Sequence, residues 1–172
     1  MWFKNLYFFA FTRPFEWSEE DLEKHLSEHL FTPLGSTEVS HFGWINALGK
    51  HGDTSVHSAN GNFLICARKE EKVMPSAVIK ELVEDKAAII EAQEDRKLYR
   101  KERETLKEEI IFDALPHAFT RSSRTFAYID PRNGWLVVDA ASPKKAEELT
   151  SYLRETLGSL PVVPPQVVAS PS

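Results

Sequence analysis

The chain of 172 residues has a single cysteine, Cys66, so no disulfide can close within it. Cys66 lies in the apolar run Asn62-Phe63-Leu64-Ile65-Cys66-Ala67, where a buried, reduced thiol is expected. A long apolar run is also missing. The stretch from Met1 to Phe11 is rich in aromatics but short, Lys4 and Asn5 interrupt it, and no basic segment precedes it. Neither a membrane span nor a signal peptide is expected, and the default location is cytoplasmic. Positive charge is not in excess: 21 Lys and Arg against 26 Asp and Glu give a net charge of -5. Any polyanionic partner must therefore be held by a local patch, not by the total field. No glycine-rich phosphate loop is present, since Gly49-Lys50-His51-Gly52 lacks the required spacing and its Ser/Thr. With no cysteine pair for zinc either, no catalytic residues, no cofactor and no nucleotide hydrolysis are expected.

What remains is ordinary for a globular protein: 42% hydrophobic and 27% charged residues. The length suffices for one domain, or two small lobes, with a real core. Residues 2–12 read as a strand with Phe3, Tyr7, Phe9 and Phe11 on one face and Trp2, Leu6 and Phe8 on the other. Apolar side chains on both faces suit a central or doubly covered strand. Stacking of these rings on single-stranded bases is a further use of the same pattern. Ser18 caps a helix with Glu19, Glu20 and Asp21 in its first turn and a Leu22, Leu26, Leu30 stripe, running to about His29. Residues 32–61 are loop-rich, with short strands near Gly43-Trp44 and Val56-His57. Asn60-Gly61 marks a hairpin into the strand 62–67, and Arg68–Lys72 carries the chain outwards into solvent.

Pro75-Ser76 opens a long helix with Ile79, Leu82, Val83, Ile89 and Ile90 at helical spacing. Residues 94–109, with six bases and six acids, either continue it or bend into a second helix that ends at Pro116. Residues 119–130 and 134–140 form strands around the turn Pro131-Arg132-Asn133-Gly134. Ser142, Pro143 and Gly158 bound a last helix. Residues 161–172, with four prolines, form an extended or disordered tail. The order predicts an α+β fold, an antiparallel sheet with helices on one side and a long charged helix or helix pair. The organisation expected is one region over 1–160, divisible into lobes at about 1–74 and 117–160 joined by helices 75–116.

Charge is unevenly spread. From Glu16 to Glu38 seven acids face one base, a local -6; from His117 to Lys145 five bases face two acids, a local +3. One end repels phosphate and the other attracts it. Two catalytic patterns are also present in outline. Ser142-Pro143-Lys144-Lys145 fits Ser-x-x-Lys without the companion motifs of that class. It also looks like a basic groove-binding motif, but a capped helix start with two exposed lysines is the leading reading. His25-Leu26-Ser27-Glu28-His29 fits an inverted zinc-hydrolase motif, but no third ligand is identified, and the flanking leucines mark the border of a packed stripe.

A set of collinear segments is more specific. They include Trp2-Phe3-Lys4-Asn5-Leu6, Phe31-Thr32-Pro33-Leu34-Gly35-Ser36, Gly43-Trp44, Ala59-Asn60-Gly61, the run Ile65–Lys72 and Pro75–Lys80. Leu115-Pro116-His117-Ala118-Phe119, the run Asp139–Glu147 and the run Leu157–Pro164 follow in order. Together they resemble the RdgC family across residues 2–164. That resemblance implies a nucleoid-associated protein that encircles mainly double-stranded DNA as a ring-shaped homodimer. It also implies binding with little sequence preference and restraint of RecA-promoted strand exchange. On this reading Lys4, Arg68, Lys69, Lys72, Arg121, Arg124, Lys144 and Lys145 are the candidate DNA contacts. His117 stands where the family often carries a base. Phe119 is either core packing at a strand start or a hydrophobic anchor at a dimer contact. Family members are markedly longer than this chain, which leaves a second reading: a regulatory module that forms mixed dimers with a full-length partner. No membrane partner is expected.

Overall fold

The computed structural model describes residues 5–49 and 54–163. Two compact units emerge: residues 1–32, 42–69 and 123–172 form the first, residues 33–41 and 70–122 the second. Within the first unit, β1 (Leu6–Phe11) pairs antiparallel with β6 (Trp135–Asp139), Leu6 facing Asp139 and Ala10 facing Trp135.

The sheet adds β2 (Ser40–Ile45), β3 (His57–Ala59), β4 (Asn62–Lys72), β5 (Thr120–Asp130) and β7 (Val162–Val163), in the order β2-β4-β5-β6-β1-β7 with β3 beside β4. The recorded pairings of β1 with β6 and β7, β3 with β4, and β5 with β6 are antiparallel. Asn60 and Gly61 both take positive φ, 54° and 82°, so the β3–β4 hairpin turns where the sequence predicts. Val162 and Val163, within the stretch expected as an extended or disordered tail, extend the sheet against Phe11 and Ala10. Residues 164–172 lie outside the described residues.

In the first unit, α1 (Glu19–Ser27) and α4 (Pro143–Leu157) lie on one face of the sheet. Both helices start as their sequences dictate: the Ser18 and Ser142 hydroxyls accept from the backbone N–H groups of Asp21 and Lys145 at 3.1 and 3.3 Å. Gly158 takes φ 83° and stops α4. Leu22 and Leu26 of α1 and Ala146, Leu149, Leu153 and Leu157 of α4 share a core with Phe9, Trp44, Ile65, Ala67, Ala127, Ile129, Leu136 and Val138. Each large side chain buried there contributes about 1.5–3 kcal/mol. Alternation then assigns the faces. Odd residues of β1 and β4, odd residues of β5 and even residues of β6 meet the helices, and the others form the outer face.

In the second unit, α2 (Ser76–Glu94) and α3 (Arg100–Ala114) form a hairpin, closed after α3 by a 3-10 turn at Leu115–His117. The charged stretch therefore bends. Asp95 adopts φ 50°, the left-handed region that ends a helix, and Arg96 locks the elbow. The Arg96 guanidinium grips Glu102 through two bonds of 2.9 and 2.8 Å, and Glu102 also accepts from the Tyr99 N–H at 2.8 Å. Ile79, Val83 and Ala87 pack against Leu106 and Ile110. Arg103 ties the helices together through Glu84 and Glu91 at 2.7 and 3.1 Å.

The bond from Arg96, then that from the Tyr99 backbone, holds the Glu102 carboxyl down to about 2 from its ordinary 4.5. The folded value lies below the unfolded one, so this contribution is present above pH 4.5 and is lost as pH falls towards 2. Glu102→Gln should remove part of the acid transition of the helical circular dichroism signal in that window. An identical transition in wild type and variant would show that the elbow does not depend on the carboxylate.

Candidate functional site

Most of the expected contacts can be placed; Lys4 lies outside the described residues. In the first unit the cations divide between the two faces of the sheet. Arg68 follows Cys66 on the outer face, and its guanidinium lies 4.5 Å from the centre of the Phe31 ring. Gly43 makes this possible. A Cβ there would lie 2.0 Å from the Phe31 Cα, so only glycine lets the Phe31 backbone cross β2. Arg124 belongs to the same face of β5 as Phe126 and Tyr128, close enough to Cys66 for its charge to act on the thiol. Burial is the larger influence and pushes Cys66 up to about 12, which keeps it a protonated, inert thiol. Arg124 is exposed and has no ion-pair partner among the described residues.

The opposite face holds the other expected cations described in the first unit. Lys69 is an odd residue of β4; its ammonium reaches Glu148 of α4 at 3.4 Å and sits 5.4 Å from the Phe42 ring centre. Its stem and charge serve the sheet-to-helix joint. Lys144 and Lys145 open α4 and are exposed, likewise without an ion-pair partner among the described residues. The expected cluster of Arg124 with Lys144 and Lys145 is thus split by the thickness of the sheet. A linear count of charge over 117–145 does not register that β5 and α4 present opposite sides.

The remaining expected residues lie in the second unit. Arg121 donates two bonds to Glu71 Oε1 at 3.1 and 2.7 Å, which neutralises it locally. Lys72 closes β4, where its backbone N–H donates to the Val39 carbonyl at 2.8 Å. Phe119 is 87% exposed, so it takes no part in core packing. The Val73 N–H donates to its carbonyl at 2.7 Å, which brings exposed Val73 beside it, and Val39 lies one strand away. The apolar pair Val73 and Phe119 was not legible in the sequence, where the two stand 46 positions apart.

The histidine motif does not lie on one helix. Helix α1 ends at Ser27, with Glu28 as its C-cap, so His29 leaves the helix. His25 contacts the Asp21 carbonyl at 2.8 Å and stands edge-on to Trp17 with ring centres 4.5 Å apart. Among the described residues no group of three His, Cys, Asp or Glu side chains is placed to hold a metal ion. No helix among them is long and apolar enough to cross a membrane.

The outer face carries one further feature, missed by the sequence reading. Phe8 and Trp135 are 44% and 40% exposed and meet edge-to-face at 5.7 Å. The alternation of β1 is legible along the chain; only the pairing of β1 with β6 sets exposed Phe8 beside Trp135.

Comparison with known proteins matches residues 1–172 to a family model described as "Putative exonuclease, RdgC". The recombination-associated protein RdgC of Colwellia psychrerythraea is 67% identical over 162 residues, covering 94% of this chain and 53% of that protein. Its namesakes from Tolumonas auensis and Aeromonas hydrophila are 56% and 54% identical over 164 residues, covering 95% of this chain and 54% of each. The chain spans about half the length of these relatives. The chain therefore belongs to the RdgC family of recombination-associated proteins.

Proposed function

We propose that the chain binds DNA with little sequence preference through the outer face of the first unit's sheet, with Arg68 and Arg124 as its phosphate contacts. The observation that carries this reading is charge segregation. Acid-rich α1, with Glu19, Glu20 and Asp21 in its first turn, lies on the helical face, while Arg68 and Arg124 project from the other. A molecule with net charge -5 thereby offers a polyanion a face from which its most acidic helix is screened by the sheet. Contacts of this kind release condensed counterions and read no bases. Lys144 and Lys145 form a secondary basic point at the α4 start. Binding of this type fits a nucleoid-associated protein that restrains RecA-promoted strand exchange by occupying the DNA. A nuclease reading, which the family description raises, finds no metal-holding group among the described residues to support it.

Assembly follows the same logic. Phe119 and Val73 are both exposed and are joined through their backbones in the second unit. An apolar pair of this kind suits a subunit contact, either with a second copy or with a full-length relative in a mixed dimer. Phe119→Asp should shift the sedimentation of the chain towards monomer.

Fluorescence anisotropy with two unrelated duplexes, titrated with salt, tests the DNA reading. Wild type should bind both alike. Arg68→Glu combined with Arg124→Glu should weaken binding about tenfold or more at low salt and reduce the salt slope by about 2. Lys69→Gln should leave the slope nearly unchanged. Wild-type affinity in the double variant removes the proposal.

A further inference from the structure

The outer face holds more than two arginines. Cross-strand register lines up three rows on it: Leu6, Asp139 and Phe126; Phe8, Val137 and Tyr128; Ala10, Trp135 and Asp130. Phe8, Trp135, Tyr128 and Phe126 therefore surround buried Val137 on one face, spaced by strand separations of about 5 Å and same-face steps of about 7 Å; Phe8 and Trp135 are the exposed rings. Leu6 and Val163, 41% and 37% exposed, extend it towards the β1 and β7 edge. Arg124 stands two residues before Phe126, on the same side of β5. The acids of this face are engaged locally. Asp139 accepts from the Asn5 N–H at 3.0 Å, and Asp130 accepts from the Asn133 N–H and side-chain amide at 3.2 and 2.7 Å.

We propose that this face is a stacking platform for the bases of single-stranded DNA, with Phe8 and Trp135 as the stacking rings and Arg124 as the phosphate contact at its border. The inference rests on the DNA-binding reading and adds a substrate form and a site to it. The chemistry selects the occupant. Partly exposed rings offer a π-face that any base can cover, and a bordering guanidinium meets the backbone of the same strand. In a duplex the base faces are hidden in the stack, so the rings gain nothing from it. An apolar polypeptide would leave Arg124 without a counter-charge. A single strand satisfies both the rings and the cation.

The test uses the whole chain with a fluorescein-labelled oligo-dT of about 20 nucleotides and a duplex of similar length. Phe8→Ala and Trp135→Ala should each weaken oligo-dT binding by about fivefold or more while changing duplex affinity less than twofold. Phe8→Tyr and Trp135→Phe keep a ring and should restore single-strand binding. Unlabelled oligo-dT should quench indole emission in wild type and much less in Trp135→Phe, a readout that survives if an alanine variant fails to fold. Unchanged single-strand affinity in the alanine variants, or an equal loss on both DNA forms, overturns the platform. Loss of self-association without loss of oligo-dT binding would assign the face to a protein contact and overturn it equally. Duplex binding that persists while all stacking readouts fail refutes this inference alone. Absence of duplex and single-strand binding together refutes the reading beneath it.

Discussion

Gly43→Ala should destabilise the first unit by about 3 kcal/mol or more, at the upper end of what overpacking costs. The added Cβ would lie 2.0 Å from the Phe31 Cα and 2.3 Å from its nitrogen, so the obstacle is backbone and cannot swing aside. Nor can the Phe31 segment lift away cheaply. The Phe31 N–H donates to the Trp44 carbonyl and the Trp44 N–H to the His29 carbonyl, both at 3.0 Å, a parallel bridge that clamps the crossing from either side. The alanine variant must break that bridge or distort β2. Against a total stability of about 5–15 kcal/mol, such a loss is severe. Urea titration should give a lower midpoint with little change in slope. Because Phe31 carries the Arg68 guanidinium, DNA affinity should fall in the same variant even where it remains folded. A midpoint matching wild type would mean that the close approach is not a constraint.

Trp44→Ala should cost about 3–5 kcal/mol. Trp44 is 1% exposed, stacks on Tyr152 with ring centres 5.2 Å apart, and donates its indole N–H to the Thr156 hydroxyl at 2.9 Å. Thr156 in turn donates to the Tyr152 carbonyl, and the Tyr152 hydroxyl donates to the carbonyls of His29 and Phe42, at 3.3 Å each. The network fastens α4 to β2 and to the same His29–Trp44 crossing that Gly43 permits. Thr156→Val separates the polar part from the packing. It keeps the volume but strands the indole N–H, at an expected cost of about 1–3 kcal/mol. In a double-mutant cycle the two losses should be less than additive, since Trp44→Ala removes the donor that Thr156→Val would orphan. Full additivity would rule out the bond as a shared term.

What could be read along the chain follows from how each signal is encoded. Ser18 and Ser142 cap their helices because a hydroxyl and a backbone N–H three residues on are local partners, fixed by sequence alone. Asn60-Gly61 turns its hairpin for the same reason: both residues tolerate positive φ. The family segments are legible because their order needs no third dimension. The break at Asp95 is not legible in this way, since a charge-balanced helical pattern looks alike whether it runs on or folds back. The arginine lock between Arg96 and Glu102 forms only after the bend.

The site behaves differently. Arg124, Lys144 and Lys145 are near in sequence, yet a sheet lies between them because β5 and α4 belong to opposite sides of one layer. Arg68 and Arg124 stand 56 positions apart and share a face because β4 and β5 are neighbours. Phe8 and Trp135 meet only through the pairing of β1 with β6. The sequence by itself determined the α+β class, the helix ends, the tight turn and the family. Tertiary structure alone decided which charges act together, which arginine is silenced by Glu71, and which aromatic face is left to solvent. Capping and turn chemistry span three or four residues, whereas a surface is assembled from strands whose neighbours are set by long-range register.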